Sequence, residues 1–76
     1  MMSFNEVFMQ EIQIGKIYKH YKGNLYKIIA FATHSETMED MIVYQSELNG
    51  QIWVRPKSMW NEVVNNDGVL RFTLYE

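Results

Sequence analysis

Gly23 divides two runs in which apolar and polar residues alternate, "KIYKHY" before it and "LYKIIAFA" after it. A period of two places successive side chains on opposite faces and marks half-buried strands. The intervening "KGN" reads as a hairpin turn. Centring the hairpin on Gly23 sets Tyr18 opposite Ile28, His20 opposite Tyr26 and, on the other face, Lys19 opposite Lys27. Opposed lysines repel. That face is expected in water, and the side carrying Tyr18, Tyr26 and Ile28 in the core, with His20 at its margin.

The same logic continues downstream. "MIVYQS" and "QIWVR" flank "ELNG", and Asn49-Gly50 is a strong hairpin signal. This turn pairs Tyr44 with Trp53 and Ile42 with Arg55. Pro56 closes the strand because it has no N–H to give a ladder. "KSMWNEV" is expected to form one helical or 3₁₀ turn near Ser58, with Met59 and Trp60 plugging one end of the core. "NNDG" is a further turn, and "VLRFTLY" a fifth strand with Leu70, Phe72 and Leu74 on one side. At the other end, "SFNEVFMQEI" predicts a short helix. Ser3 and Glu6 form a capping box, and Phe4, Val7, Phe8 and Ile12 form an apolar stripe. Such a stripe is a packing face or a dimer contact before it is a cofactor site. The expected architecture is mainly β: a small five-stranded antiparallel barrel with a short N-terminal helix and one short helical turn after strand 4. Residues 1–14 form the helix and linker, and residues 15–76 the barrel domain. Closure of the barrel removes the sheet's edges.

A chain of 76 residues makes one domain, and 14% aromatic residues suffice for its core. With no cysteine, disulfides and Cys zinc sites are excluded. Seven basic residues against nine acidic ones, net −2, argue against a nucleic-acid partner, although Lys16, Lys19, Lys22 and Lys27 lie close in sequence. No charged-then-apolar leader opens the chain, and no apolar run approaches the roughly 20 residues of a membrane span. A cytoplasmic protein without membrane association is expected.

Three blocks, "GKIYKHYKGNLYKII", "ATHSETMEDMIVYQ" and "IWVRPKSMW", stand in order. Together they resemble the bacterial domain-of-unknown-function family 1653. That family carries a Gly-x-x-Tyr-x-His-aromatic-Lys-Gly block, a His-Ser-Glu-Thr block, and a Trp-Val-Arg-Pro block followed by Met and an aromatic residue. The matching positions include Gly15, Tyr18, His20, Tyr21, Lys22 and Gly23. They continue through Tyr26, His34 to Thr37 and Tyr44, and end with Trp53 to Pro56, Met59 and Trp60. The resemblance spans about Gly15 to Phe72. It implies a barrel of the SH3-like type and no assigned activity. The N-terminal helix lies outside it.

The chemistry-bearing residues concentrate in "HSETMED", His34 to Asp40. A Ser–His–acid hydrolase needs the imidazole at the serine hydroxyl. His34 and Ser35 are neighbours that point apart in extended chain. His20 pairs with Tyr26, eight residues before His34, roughly 26 Å along a straight strand. One histidine with Glu36, Glu39 and Asp40 is a poor zinc set, and the calcium-loop pattern is absent. The plain alternative is a corner in which Ser35 and Thr37 satisfy loop N–H groups. Taking Val43 and Val54 as core turns Tyr44, Trp53 and Arg55 outward beside this loop, where aromatic and charged groups suit recognition. The competing arrangement buries Trp53 and makes Arg55 an ionic partner of Glu36 or Glu39.

The leading expectation is a non-catalytic binding or adaptor domain for a protein or small-molecule ligand. Its candidate residues are His34, Ser35, Glu36, Thr37, Tyr44, Trp53 and Arg55, with His20 and Tyr21 as a second candidate site. The reading leans away from an enzyme and calls for no cofactor and no metal. The alternative is a small enzyme or nucleotide-processing accessory with His34 and Glu36 as acid and base.

Overall fold

The computed structural model describes residues 12–75. The expected N-terminal helix falls outside that range. Five antiparallel strands make one sheet: β1 Ile17–His20, β2 Leu25–Thr33, β3 Asp40–Ser46, β4 Ile52–Pro56 and β5 Phe72–Leu74. Their spatial order is β4-β3-β2-β1-β5. A 3₁₀ turn, Lys57–Met59, follows β4 where one was expected.

The β3–β4 hairpin has the predicted register, with Tyr44 opposite Trp53 and Ile42 opposite Arg55. The β1–β2 hairpin does not. Tyr18 lies opposite Tyr26, not Ile28. The cause is a three-residue loop, Tyr21 to Gly23, rather than a turn centred on Gly23. The N–H of His20 donates to the carbonyl of Asn24, and that of Gly23 to the carbonyl of His20. Gly23 takes the left-handed position at φ +111°, as the last residue of such loops does. The slip is two residues, so every side chain keeps its expected face.

That inner face carries Tyr18, Ile28, Ile42, Tyr44 and Phe72, all buried, together with Trp60 from beyond the 3₁₀ turn. The choice of Val43 and Val54 as core is corrected: Val54 is exposed, and Tyr44, on the opposite face, is buried. Met59 is exposed, and only Trp60 plugs the core.

The closed barrel is also corrected. Among the described residues the sheet is open, with β4 and β5 as its two edges. It is nonetheless curled. Four strand spacings of about 4.8 Å would hold β4 and β5 roughly 19 Å apart in a flat sheet. Yet the guanidinium of Arg55 on β4 lies 5.5 Å from the ring centre of Phe72 on β5. A bulge between Ile28 and Ala30 helps bend β2. Aromatic rings then span the gap. Trp60 stacks on Phe72 at 3.8 Å with planes 2° apart, and meets Tyr18 and Tyr44 edge-on at 5.5 and 5.1 Å. Its indole N–H is buried without an acceptor, a cost of about 1–3 kcal/mol that ring packing must exceed.

Trp60→Ala is expected to lower stability by about 3–5 kcal/mol in urea denaturation, the range for emptying a fully buried aromatic site. Met59→Ala, one residue earlier and exposed, is expected to cost under about 0.5 kcal/mol.

Candidate functional site

The loop from His34 to Glu39 is a hydrogen-bonded turn joining β2 to β3. The N–H of Met38 donates to the carbonyl of His34, and the N–H of His34 to that of Glu39. His34 acts as the cap. Its Nδ1 accepts the N–H groups of Glu36 and Thr37 at 3.1 and 3.3 Å. The Thr37 hydroxyl accepts the N–H of Glu39 at 3.2 Å. Met38 reverses the chain at φ +63°. An imidazole nitrogen thus does the work usually done by an Asp or Ser oxygen at a helix start. Ser35 and Glu36 are exposed. Among the described residues the side-chain ion pair is Arg71 with Glu62, at 2.6 Å, so Arg55 does not bind Glu36 or Glu39.

A separate cleft, about 190 Å³, opens on the inner face between the sheet's edges. Its walls are His20, Tyr26, Tyr44, Trp53, Arg55 and Phe72. It unites part of each sequence-predicted site, taking Tyr44, Trp53 and Arg55 from one and His20 from the other. None of His34, Ser35, Glu36 or Thr37 lines it. Tyr21 stands just outside, its ring 4.6 Å from that of His20. Tyr26 and Phe72 were missed as site residues. Alternation marks both as inner-facing, but only the β1–β5 pairing, His20 opposite Phe72, brings Phe72 to the cleft. That pairing joins segments some fifty residues apart and has no local signature.

The cleft floor is a lattice of edge-to-face rings. Tyr26 meets Tyr44 at 5.4 Å and Phe72 at 5.9 Å, while His20 meets Phe72 at 5.0 Å and Tyr26 at 6.3 Å. Arg55 donates from Nε to the Tyr44 hydroxyl at 3.3 Å and lies over the Phe72 ring. Its terminal nitrogens carry charge with no carboxylate beside them among the described residues. Trp53 is half exposed at the rim.

His20 completes the polar side. Its Nδ1 accepts the N–H of Lys22 at 3.2 Å, leaving Nε2 to carry the proton in the neutral ring. Burial, and then the nearby cations Arg71, Arg55 and Lys22, lower its pKa below the ordinary value of 6.5. The cleft therefore offers a guanidinium and an imidazole N–H against aromatic faces. Such a set is chemically complementary to an anionic group attached to something planar or apolar.

Two outcomes follow. Replacing the cap, His34→Ala, is expected to cost about 1 kcal/mol in chemical denaturation, while His34→Asn retains most of it. Because the folded state disfavours protonated His20, the unfolded chain binds the extra proton. The stability this group contributes is complete above pH 6.5 and declines as pH falls through the lower folded-state pKa. Urea midpoints between about pH 8 and about pH 5 are expected to fall on acidification, with a shallower slope in His20→Gln.

Three comparisons bear on the chain. The model of the family described as a protein of unknown function, DUF1653, matches residues 16–74. No curated protein matches. The crystal structure of a DUF1653 protein from Bordetella bronchiseptica is similar, with 33% sequence identity and a TM-score of 0.71, over 90% of this chain and 91% of that one. With most of its length matched by that family and its fold similar to that of a solved member, the chain belongs to the DUF1653 family.

Proposed function

We propose that this domain is a non-catalytic binding module, and that its ligand site is the aromatic cleft around Arg55. One observation carries the reading. Arg55 is a cation seated on a ring inside a cleft, tethered by Tyr44, with no acidic neighbour among the described residues. A guanidinium held this way has an unmet capacity for a carboxylate or phosphate. His20 adds a neutral donor, and Trp53 a partly exposed ring to cover the ligand. A cleft of about 190 Å³ is smaller than a typical drug-sized pocket. The ligand that fits is a side-chain-sized acidic group, such as a small planar acid or one residue of a protein partner.

In this reading the "HSETMED" loop is a corner. It holds β2 and β3 in register and leaves recognition to the cleft. The curled, open sheet is then related to the SH3-like type, with residues 15–76 as the binding domain, working in the cytoplasm.

The test is calorimetric titration with benzoate and with phenyl phosphate, each a planar ring bearing an anion. Saturable binding of at least one is expected. Arg55→Met should weaken it at least tenfold, the effect of removing one charge-assisted hydrogen bond, and Glu36→Ala should leave it unchanged. Equal binding by wild type and Arg55→Met would refute the assignment.

A further inference from the structure

Strand β4 is a sheet edge, and three successive large apolar residues on it are exposed. Ile52, Trp53 and Val54 show 54%, 50% and 59% of their surface to solvent. Their backbone directions follow from the ladder. The N–H of Ser46 donates to the carbonyl of Gln51 at 2.8 Å. Hydrogen-bonded pairs then recur every second residue, at Tyr44 with Trp53 and Ile42 with Arg55. Ile52, Val54 and Pro56 therefore turn their backbone groups to the open edge. Among the described residues, no turn or loop backbone bond reaches Ile52 or Val54.

Natural sheets usually guard such an edge with charge or proline. Here Arg55 and Pro56 occupy those roles against a general strand. One register keeps Arg55 away from its own copy and costs only one ladder bond at each Pro56. We infer that β4 pairs antiparallel with β4 of a second copy of this chain, about a two-fold axis at Val54, and that the chain forms a symmetric dimer.

In that register Val54 exchanges both backbone bonds with the partner's Val54. The N–H of Ile52 donates to the carbonyl of the partner's Pro56, and the reverse holds by symmetry. Proline has no N–H to return to the Ile52 carbonyl, but this carbonyl already accepts from the Gln51 side chain at 3.4 Å. On the inner face, Trp53 stands directly opposite the partner's Arg55. This is a non-hydrogen-bonded pair, where side chains approach most closely, and a ring meets a cation. Arg55 never faces its own copy, so no like charges oppose. On the outer face, Ile52, Val54 and Pro56 join their counterparts in one apolar strip. Such self-complementarity is what an isologous interface requires. It also sets the two clefts side by side across the axis. The pairing goes beyond the ligand reading and needs no ligand.

An interface of one strand edge is small, so association in the weak-to-moderate range is expected. Sedimentation equilibrium of the full chain from about 10 μM to about 1 mM would measure it. The apparent mass should rise toward twice that of the chain. Val54→Lys and Val54→Glu should each stay at the single-chain mass, because each sets like charges on the axis. Both should keep the wild-type unfolding midpoint at the lowest concentration, since Val54 is exposed. An equimolar mixture of the two should associate again. A wild type that stays at the single-chain mass throughout, Val54→Lys associating as wild type does, or a mixture that behaves like its components would overturn the proposal.

Discussion

The stack of Trp60 on Phe72 is the contact on which the rest of the structure depends. The two rings lie 3.8 Å apart and parallel, one from the chain beyond β4 and one from β5 at the opposite edge. Among the described residues no ladder joins those edges, so the curl of the sheet rests on side chains. Tyr18 and Tyr44 hold the Trp60 ring edge-on, and Tyr44 also meets Phe72 at 5.7 Å. A set of rings this size buries enough apolar surface to support a short chain whose strands are only three to nine residues long.

The cleft is a consequence of that arrangement. Rings fill the space between the edges unevenly, and the remainder opens beside Arg55. The tether from Tyr44 and the Phe72 face beneath fix the guanidinium at modest entropic cost. The nearby cations Arg71, Arg55 and Lys22 add to burial in keeping His20 neutral. Thus the interactions that curl the sheet also shape a cleft where cation and aromatic surface meet. Arg71 is different. It is neutralised by Glu62, across the short segment where the N–H of Arg71 also donates to the carbonyl of Glu62.

Local rules made much of this legible. Asn49-Gly50 and Pro56 bracket β4 and set the β3–β4 register correctly. Alternation put Tyr18, Tyr26 and Ile28 on the inner face, even though the loop at Gly23 shifted their partners by two. What local rules could not supply was the sidedness of β3 and β4. Both faces of "MIVYQS" are apolar, so Val43 and Tyr44 compete for the core on equal terms. The decision comes from Trp60 and Phe72, which reach Tyr44 through tertiary packing alone. The candidate site divided for the same reason. Its Tyr44, Trp53 and Arg55 share a hairpin and were grouped from sequence. Joining them to His20 needed the curl. The polar run at His34 drew attention through composition, but its His34 and Thr37 side chains are turned to the loop's own N–H donors, and its Ser35 and acidic side chains are exposed.

The most direct test of this account is an amide and indole N–H shift map of the isotope-labelled chain during titration with phenyl phosphate. Shifts concentrated at His20, Arg55 and the Trp53 indole, with His34 to Glu39 unmoved, are the predicted result. Shifts centred on residues 34–39 with the cleft silent would contradict it.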